Sequence, residues 1–119
     1  MSTAIEQPFG DGDYLFNLRL KQLEELQEKT GFGPFRSLQR LFEGDAFVSE
    51  IAETIRLGLV GGGTDPVEAR KLVSRYVDDC PLAPNRLLAQ AVLAAVTIGL
   101  PDAKGGEEDE PGKSQTEGE

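Results

Sequence analysis

Residues 5–18, IEQPFGDGDYLFNL, decide how the chain begins to fold. Apolar and aromatic residues alternate with polar ones on both sides of a central Gly-Asp-Gly-Asp segment, and this period of two is typical of β-strands. The Asp11-Gly12 pair would supply the positive backbone angles that a tight turn requires, so the stretch predicts a β-hairpin. Because a two-stranded sheet is only marginally stable alone, we expect the hairpin to pack on helices.

The sequence after the hairpin has helical periodicity, with glycine or proline between the segments. The clearest helix start is Asp65-Pro66-Val67-Glu68, where the aspartate can accept backbone hydrogen bonds, proline suits the first turn and the glutamate can reach back to complete a capping box. Either Asp45 or Ser49 could cap an earlier helix. Five helices are predicted: from Arg19 to a stop at Gly31, from Pro34 to Gly44, from between Asp45 and Ser49 to Gly61-Gly62-Gly63, from Pro66 to Cys80, and over residues 87–100 after a connection bracketed by Pro81 and Pro84.

These elements predict an α+β fold that is mainly α, with an N-terminal hairpin packed on a bundle of about five helices. The chain has 119 residues, which suits one domain, and we place that domain at residues 1–100. Residues 101–119 contain seven acidic and two basic residues and no large apolar side chain, so we predict a disordered acidic tail there. The acidic run over residues 107–110 could contact a basic partner, although solubility also explains it.

Charge and hydropathy exclude two classes of partner. The net charge is −9 with no histidine, and such a surface would repel a nucleic-acid backbone. The apolar stretch over residues 87–100 is shorter than the roughly 20 residues needed to cross a bilayer.

The N-terminus lacks the pattern of a secretory signal, and the single cysteine, Cys80, cannot form an internal disulfide. We therefore expect a cytoplasmic protein that binds neither membrane nor nucleic acid.

Three candidate sites for chemistry are incomplete. Residues 61–64, GGGT, precede a helix but lack the Gly-Lys-Ser/Thr ending of a phosphate loop, which favours a flexible connection. Residues 11–13 resemble the opening of a calcium loop, but the next ligand position is Leu15 and the position of the closing glutamate is Gln22. Cys80 has no histidine to activate it. The sequence thus predicts no enzyme, no cofactor and no metal site, and favours a protein that acts by binding another protein.

The apolar segment over residues 87–100 has two interpretations. It could form the middle of the helical bundle, or one of its faces could stay exposed until a partner helix covers it. Both can hold for different faces of one helix.

A series of short motifs begins with residues 53–63, ETIRLGLVGGG, and ends with residues 88–93, LAQAVL. Between them lie EA at 68–69, LV at 72–73, RYVD at 75–78 and PL at 81–82. By their order and spacing, over roughly residues 12–100, these motifs resemble the tail assembly chaperones of gene transfer agents and related phages. Gene transfer agents are phage-like particles of bacteria, and the family is also labelled as tail tube proteins.

The resemblance implies a cytoplasmic helper that binds the helical tape measure protein and hands over to tail tube subunits as the tube polymerises. It carries no enzymatic residue. The alternative is a structural tail tube or connector subunit that is retained in the particle, although tube proteins that close into rings are usually rich in β-strands. A weak homo-oligomer is compatible with either role. An enzyme or a helical DNA-binding regulator ranks below both, because a catalytic set and a basic face are missing.

For the contact with that partner we predict Arg56, Leu57 and Val60, supported by Arg75 and Tyr76. Core packing explains the apolar members of this set equally well.

Overall fold

A hairpin followed by five helices makes up residues 1–100, the part of the chain that the computed structural model describes. The predicted fold, α+β and mainly α, is confirmed. The predicted acidic tail lies outside the described residues. The elements are β1 (Ala4–Phe9), β2 (Gly12–Asn17), α1 (Leu20–Thr30), α2 (Pro34–Glu43), α3 (Val48–Gly61), α4 (Pro66–Tyr76) and α5 (Leu82–Thr97).

The two strands pair antiparallel in a register that sets Phe9 opposite Gly12, so the loop consists of Gly10 and Asp11. The expectation that the Asp11-Gly12 pair supplies the positive angles is wrong, because Gly10 is the residue of this turn with a positive φ, of 59°. A two-residue loop with glycine at its first central position needs only that one positive angle. The hairpin was therefore predicted correctly, but its turn residue was not.

A side-chain hydrogen bond between Tyr14 and Asp11 stabilises the turn. The Tyr14 hydroxyl donates a hydrogen bond of 2.6 Å to Oδ1 of Asp11. This hydrogen bond, with desolvation and the negative charge of Asp11, raises the pKa of Tyr14 from 10.0 to about 12. The turn thus holds the tyrosine in its neutral form.

We expect Tyr14 to ionise with a pKa of about 12 when tyrosinate absorbance is followed during an alkaline titration. The pKa is higher in the folded state than in the unfolded state, so the contribution to stability is present below pH 10.0 and is lost as the pH rises toward 12. Asp11→Ala should return the pKa toward its ordinary value, and Tyr14→Phe identifies the transition. An unchanged pKa in Asp11→Ala would contradict the assignment.

The predicted helix ends are largely confirmed. Gly31 and Gly44, with φ of 84° and 75°, end α1 and α2 in the left-handed conformation. Asp65 caps α4 by accepting hydrogen bonds from the N–H groups of Val67 and Glu68. These features depend on local chemistry, which the sequence displays directly.

The start of α3 differs from the prediction in its capping residue. Phe47 is the N-cap, and neither Asp45 nor Ser49 caps the helix. Instead, Oε1 of Glu50 accepts a hydrogen bond of 2.6 Å from the Phe47 N–H. A glutamate at the third helical position thus stabilises the end without a polar N-cap side chain.

The connection between α4 and α5 also differs. The fourth helix ends at Tyr76 rather than at Cys80, and Asp79 takes a positive φ of 59° in the turn that follows. The fifth helix begins at Leu82, so Pro84 lies inside its first turn instead of before it. Proline is tolerated there because the first N–H groups of a helix have no partner within the helix.

Helix α3 forms the centre of the molecule, where it packs against α1, α4, α5 and β2. The expected place of the fifth helix in the bundle core holds for one of its faces. Helix α5 packs with one face on α2, α3 and the hairpin, and it holds the end of α2 through a 2.6 Å hydrogen bond from Arg86 Nη1 to the Leu41 carbonyl. Within residues 1–100, no helix combines the length and apolar character needed to cross a membrane.

Candidate protein-binding surfaces

Two of the five predicted contact residues lie inside the protein. Leu57 belongs to the core and is 2% exposed, and Arg56 is 7% exposed. Nη2 of Arg56 bonds Oε1 of Glu53 at 2.7 Å and Oε2 of Glu25 at 3.2 Å, and the hydrogen bond to Glu53 is the main cause that raises the pKa of Arg56. The arginine thus ties α1 to α3, and a partner could reach it only if α1 moved.

The other three residues are more accessible but do not complete one surface with the first two. Val60 is half-buried near the end of α3. Arg75 is exposed, and Tyr76 is half-buried with its ring packed edge-on against Phe9, 5.8 Å between centroids. A partner contact at Val60, Arg75 or Tyr76 stays a prediction.

Helix α2 exposes two aromatic side chains that its apolar spacing would assign to the core. Phe35 is 69% exposed and Phe42 is 59% exposed. They lie seven residues apart, which is about two helical turns, with exposed Gln39 between them. We call Phe35, Gln39 and Phe42 the α2 aromatic face.

Arg40 lies on the buried side of α2, opposite these phenylalanines, and is 7% exposed. Its Nη2 lies 3.0 Å from Oε1 of Glu50, and its Nε bonds both oxygens of that carboxylate at 3.2 Å. The guanidinium carbon lies 4.2 Å from the centroid of the Phe32 ring and 4.7 Å from that of Phe47. The hydrogen bond to Glu50 raises the pKa of Arg40 further. This pairing, together with the buried Leu38 and Leu41, keeps that side of α2 turned toward the interior.

Helix α5 has a second exposed apolar surface. Leu87 is 57% exposed, and Ile98, the C-cap residue that continues the same side just after the helix, is 66% exposed. Ala91 and Ala94 lie half-buried between them. We call these four residues the α5 outer face. The opposite face carries the buried residues, so one face of the segment belongs to the core and the other is exposed. That a partner helix covers the exposed face stays a prediction. The buried residues of the helix are Asn85, Ala89, Val92, Leu93 and Ala95.

The glycines at the end of α3 do not form a phosphate loop, and they are not merely a flexible connection. A Cβ atom at Gly61 would overlap the carbonyl oxygen of Asn17, and one at Gly62 would overlap that of Leu15. Both glycines are therefore required for the close approach of α3 to the backbone of β2.

Among residues 1–100, no three histidine, cysteine, aspartate or glutamate side chains are grouped so that they could hold a metal ion.

Comparison with known proteins places the chain in a family. Residues 2–99 match the family model described as phage tail tube protein, GTA-gp10. Searches of curated proteins and of solved structures gave no match. The family match confirms the resemblance to proteins of gene transfer agents and phage tails. It does not specify a chaperone, and its description supports the tail tube alternative more directly. Because the match spans nearly all of the described residues, the chain belongs to the phage tail tube protein, GTA-gp10, family and is a phage tail-related protein.

Proposed function

We propose that the protein is a tail assembly chaperone that acts in the cytoplasm of the bacterial host. It binds the tape measure protein, hands it over to tail tube subunits as the tube polymerises, and then leaves. The observation that carries this proposal is the α2 aromatic face, because Phe35 and Phe42 are both more than half exposed on one side of a helix.

Such a face suits a helical partner. Exposed aromatic side chains two turns apart can anchor the apolar side of an amphipathic helix, and aromatic residues supply much of the binding energy at protein interfaces. A tape measure protein is long and helical, and its apolar helix faces would aggregate unless they were covered before assembly. Two anchors make a small contact, so each copy should bind weakly, and many copies along one tape measure would act together.

The small sheet argues against a subunit that closes into a tube. The hairpin has two strands of six residues each. The end of α3 covers the backbone of β2, and β1 contains Pro8, which has no N–H to donate to another strand. Within residues 1–100, the β-structure is therefore poorly suited to extension into a large sheet.

A structural tail tube or connector subunit is the second candidate, and the description of the matching family favours it. The two candidates differ in what remains in a finished particle. A chaperone leaves before the particle is complete, whereas a subunit stays at a fixed stoichiometry.

The test is co-expression with the tape measure protein encoded in the same gene cluster. The wild-type chain should keep the tape measure soluble and co-purify with it, whereas Phe35→Ser/Phe42→Ser should reduce the co-purified amount at least about tenfold, as expected for aromatic anchors. A matched control is Leu20→Ser/Val67→Ser, which removes two exposed apolar side chains, 72% and 63% exposed, from other helices and should bind normally.

Circular dichroism would verify that both variants fold. If the tape measure protein is equally soluble without the chain and never co-purifies, the chaperone proposal fails. Recovery of the chain at fixed stoichiometry from purified particles would support the structural candidate instead.

A further inference from the structure

The α5 outer face, formed by Leu87, Ala91, Ala94 and Ile98, is apolar, and its two large side chains, Leu87 and Ile98, are more than half exposed. Successive members are spaced by four, three and four residues, which is the spacing of the seam in a coiled coil. The side chains at the two ends are large and mostly exposed, whereas the two in the middle are alanines. This shape can receive another helix along its length.

Two copies of this face match each other when their helices run antiparallel. A two-fold axis between positions 92 and 93 would set Leu87 opposite Ile98 of a second copy and Ala91 opposite Ala94. Large residues would then meet at both ends, and the alanines would let the helix axes approach closely in the middle. An interface in which residue i meets residue j, and j meets i, is the kind that closes a symmetric dimer.

The distribution of charge favours association through the α5 outer face and in the antiparallel direction. The chain has a net charge of −9, so two copies repel each other wherever their acidic residues meet. Residues 87–100 contain no charged side chain, which lets two copies approach there without that repulsion. An antiparallel pair would also set the two Leu100 residues, after which the acidic segments begin, at opposite ends and align the helix dipoles favourably.

That acidic segment is a poor occupant for the face. It follows α5 directly, but it offers no large apolar side chain to cover Leu87 or Ile98, and it contains seven acidic residues. Burying carboxylates against an apolar helix would be unfavourable. A second copy of α5 offers the large apolar side chains that the segment lacks.

We propose that the protein forms a symmetric dimer in which two α5 outer faces pack antiparallel. Four side chains from one helix bury less than the roughly 800 Å² per partner of a standard interface, so the dimer is weak and exchanges readily with monomer. The dimer does not depend on the proposed chaperone function, because its interface and the α2 aromatic face lie on different helices.

The experiment is sedimentation of the full chain over a wide concentration range. The average mass should rise from 12.9 kDa toward twice that value as concentration increases. Leu87→Glu/Ile98→Glu places like charges opposite each other and should lower the association constant at least about tenfold. Leu87→Lys/Ile98→Glu places opposite charges together in the antiparallel pair and should restore association.

Each variant has an outcome that would overturn the proposal. A wild-type chain that stays monomeric overturns it, and a loss of tape measure binding by Leu87→Glu/Ile98→Glu would then identify a helical partner as the occupant. Association of the double-glutamate variant at wild-type strength, or failure of the lysine-glutamate variant to associate, overturns the antiparallel pairing. Phe35→Ser/Phe42→Ser should dimerise normally, and its loss of dimerisation would place the interface on α2 instead.

Discussion

Glu50→Ala is expected to lower the free energy of unfolding by about 3–5 kcal/mol, the usual cost of removing one partner from a buried ion pair. The Glu50 side chain is 1% exposed and accepts hydrogen bonds from Arg40 and from the Phe47 N–H. Its loss would leave the guanidinium of Arg40, whose side chain is 8% exposed, with one carboxylate, that of the exposed Asp45 at 3.5 Å, besides its two aromatic neighbours. Urea denaturation followed by circular dichroism measures the change.

Two further variants distinguish the loss of the negative charge of Glu50 from the loss of its hydrogen bond with the Phe47 N–H. Glu50→Gln retains an oxygen for the Phe47 N–H but removes the negative charge, so it should be destabilised less than Glu50→Ala. Arg40→Met/Glu50→Leu removes both charges together and should recover part of the lost stability, because no uncompensated charge stays buried.

The matched control is Glu25→Ala, which removes a more exposed carboxylate from another arginine. The side chain of Glu25 is 39% exposed, and Arg56 keeps its shorter contact to Glu53 in its absence. We expect a loss of no more than about 1 kcal/mol, in the range of solvent-exposed ion pairs. Equal losses in Glu25→Ala and Glu50→Ala would contradict the special role given to the buried pair.

The elements of the fold could be predicted because their signals are local. Alternation of apolar residues predicted the hairpin, and Gly31, Gly44 and Asp65 predicted three helix ends at their observed positions. Glycine permits a left-handed angle, and an aspartate before a helix accepts its free N–H groups, wherever the helix lies in the protein. Such features need no knowledge of tertiary contacts.

The rotation of α2 could not be predicted in this way. Helical spacing groups Phe35 and Phe42 with the buried leucines of that helix, and an arginine at position 40 is ordinarily expected to face water. The buried pair with Glu50, ten residues away, reverses this expectation and leaves the phenylalanines exposed. Only the tertiary structure, which brings Arg40 of α2 to Glu50 in the first turn of α3, reveals that partnership.

For two of the predicted contact residues the error is the reverse, because they were expected at the surface and are buried. Arg56 and Leu57 belong to residues 53–63, the first of the motifs that together carry the family resemblance, and the structure places both in the interior. Their part of α3 packs against four other elements, so a recognisable sequence there is explained by the demands of the core. The exposed faces of α2 and α5 lie outside that segment.

Gly61→Ala is expected to lower the free energy of unfolding by about 2–3 kcal/mol, as overpacking of a tight contact does. The added methyl group would overlap the carbonyl oxygen of Asn17, which belongs to the backbone of β2 and cannot rotate away. The last turn of α3 would have to move off the hairpin. Alanine normally stabilises a helix by about 1 kcal/mol relative to glycine, so a net loss would identify the close contact as its cause.

Gly12→Ala is the matched control for this prediction. A Cβ atom at Gly12 meets nothing within 4 Å, and the backbone there needs no positive φ, so the stability should change by no more than about 0.5 kcal/mol. Hydrogen exchange should show faster opening of the hairpin amides in Gly61→Ala than in Gly12→Ala, because the hairpin loses its support from α3. A stabilised Gly61→Ala variant with unchanged hairpin exchange would mean that the end of α3 does not rest on β2, and that these glycines serve only as a connection between helices.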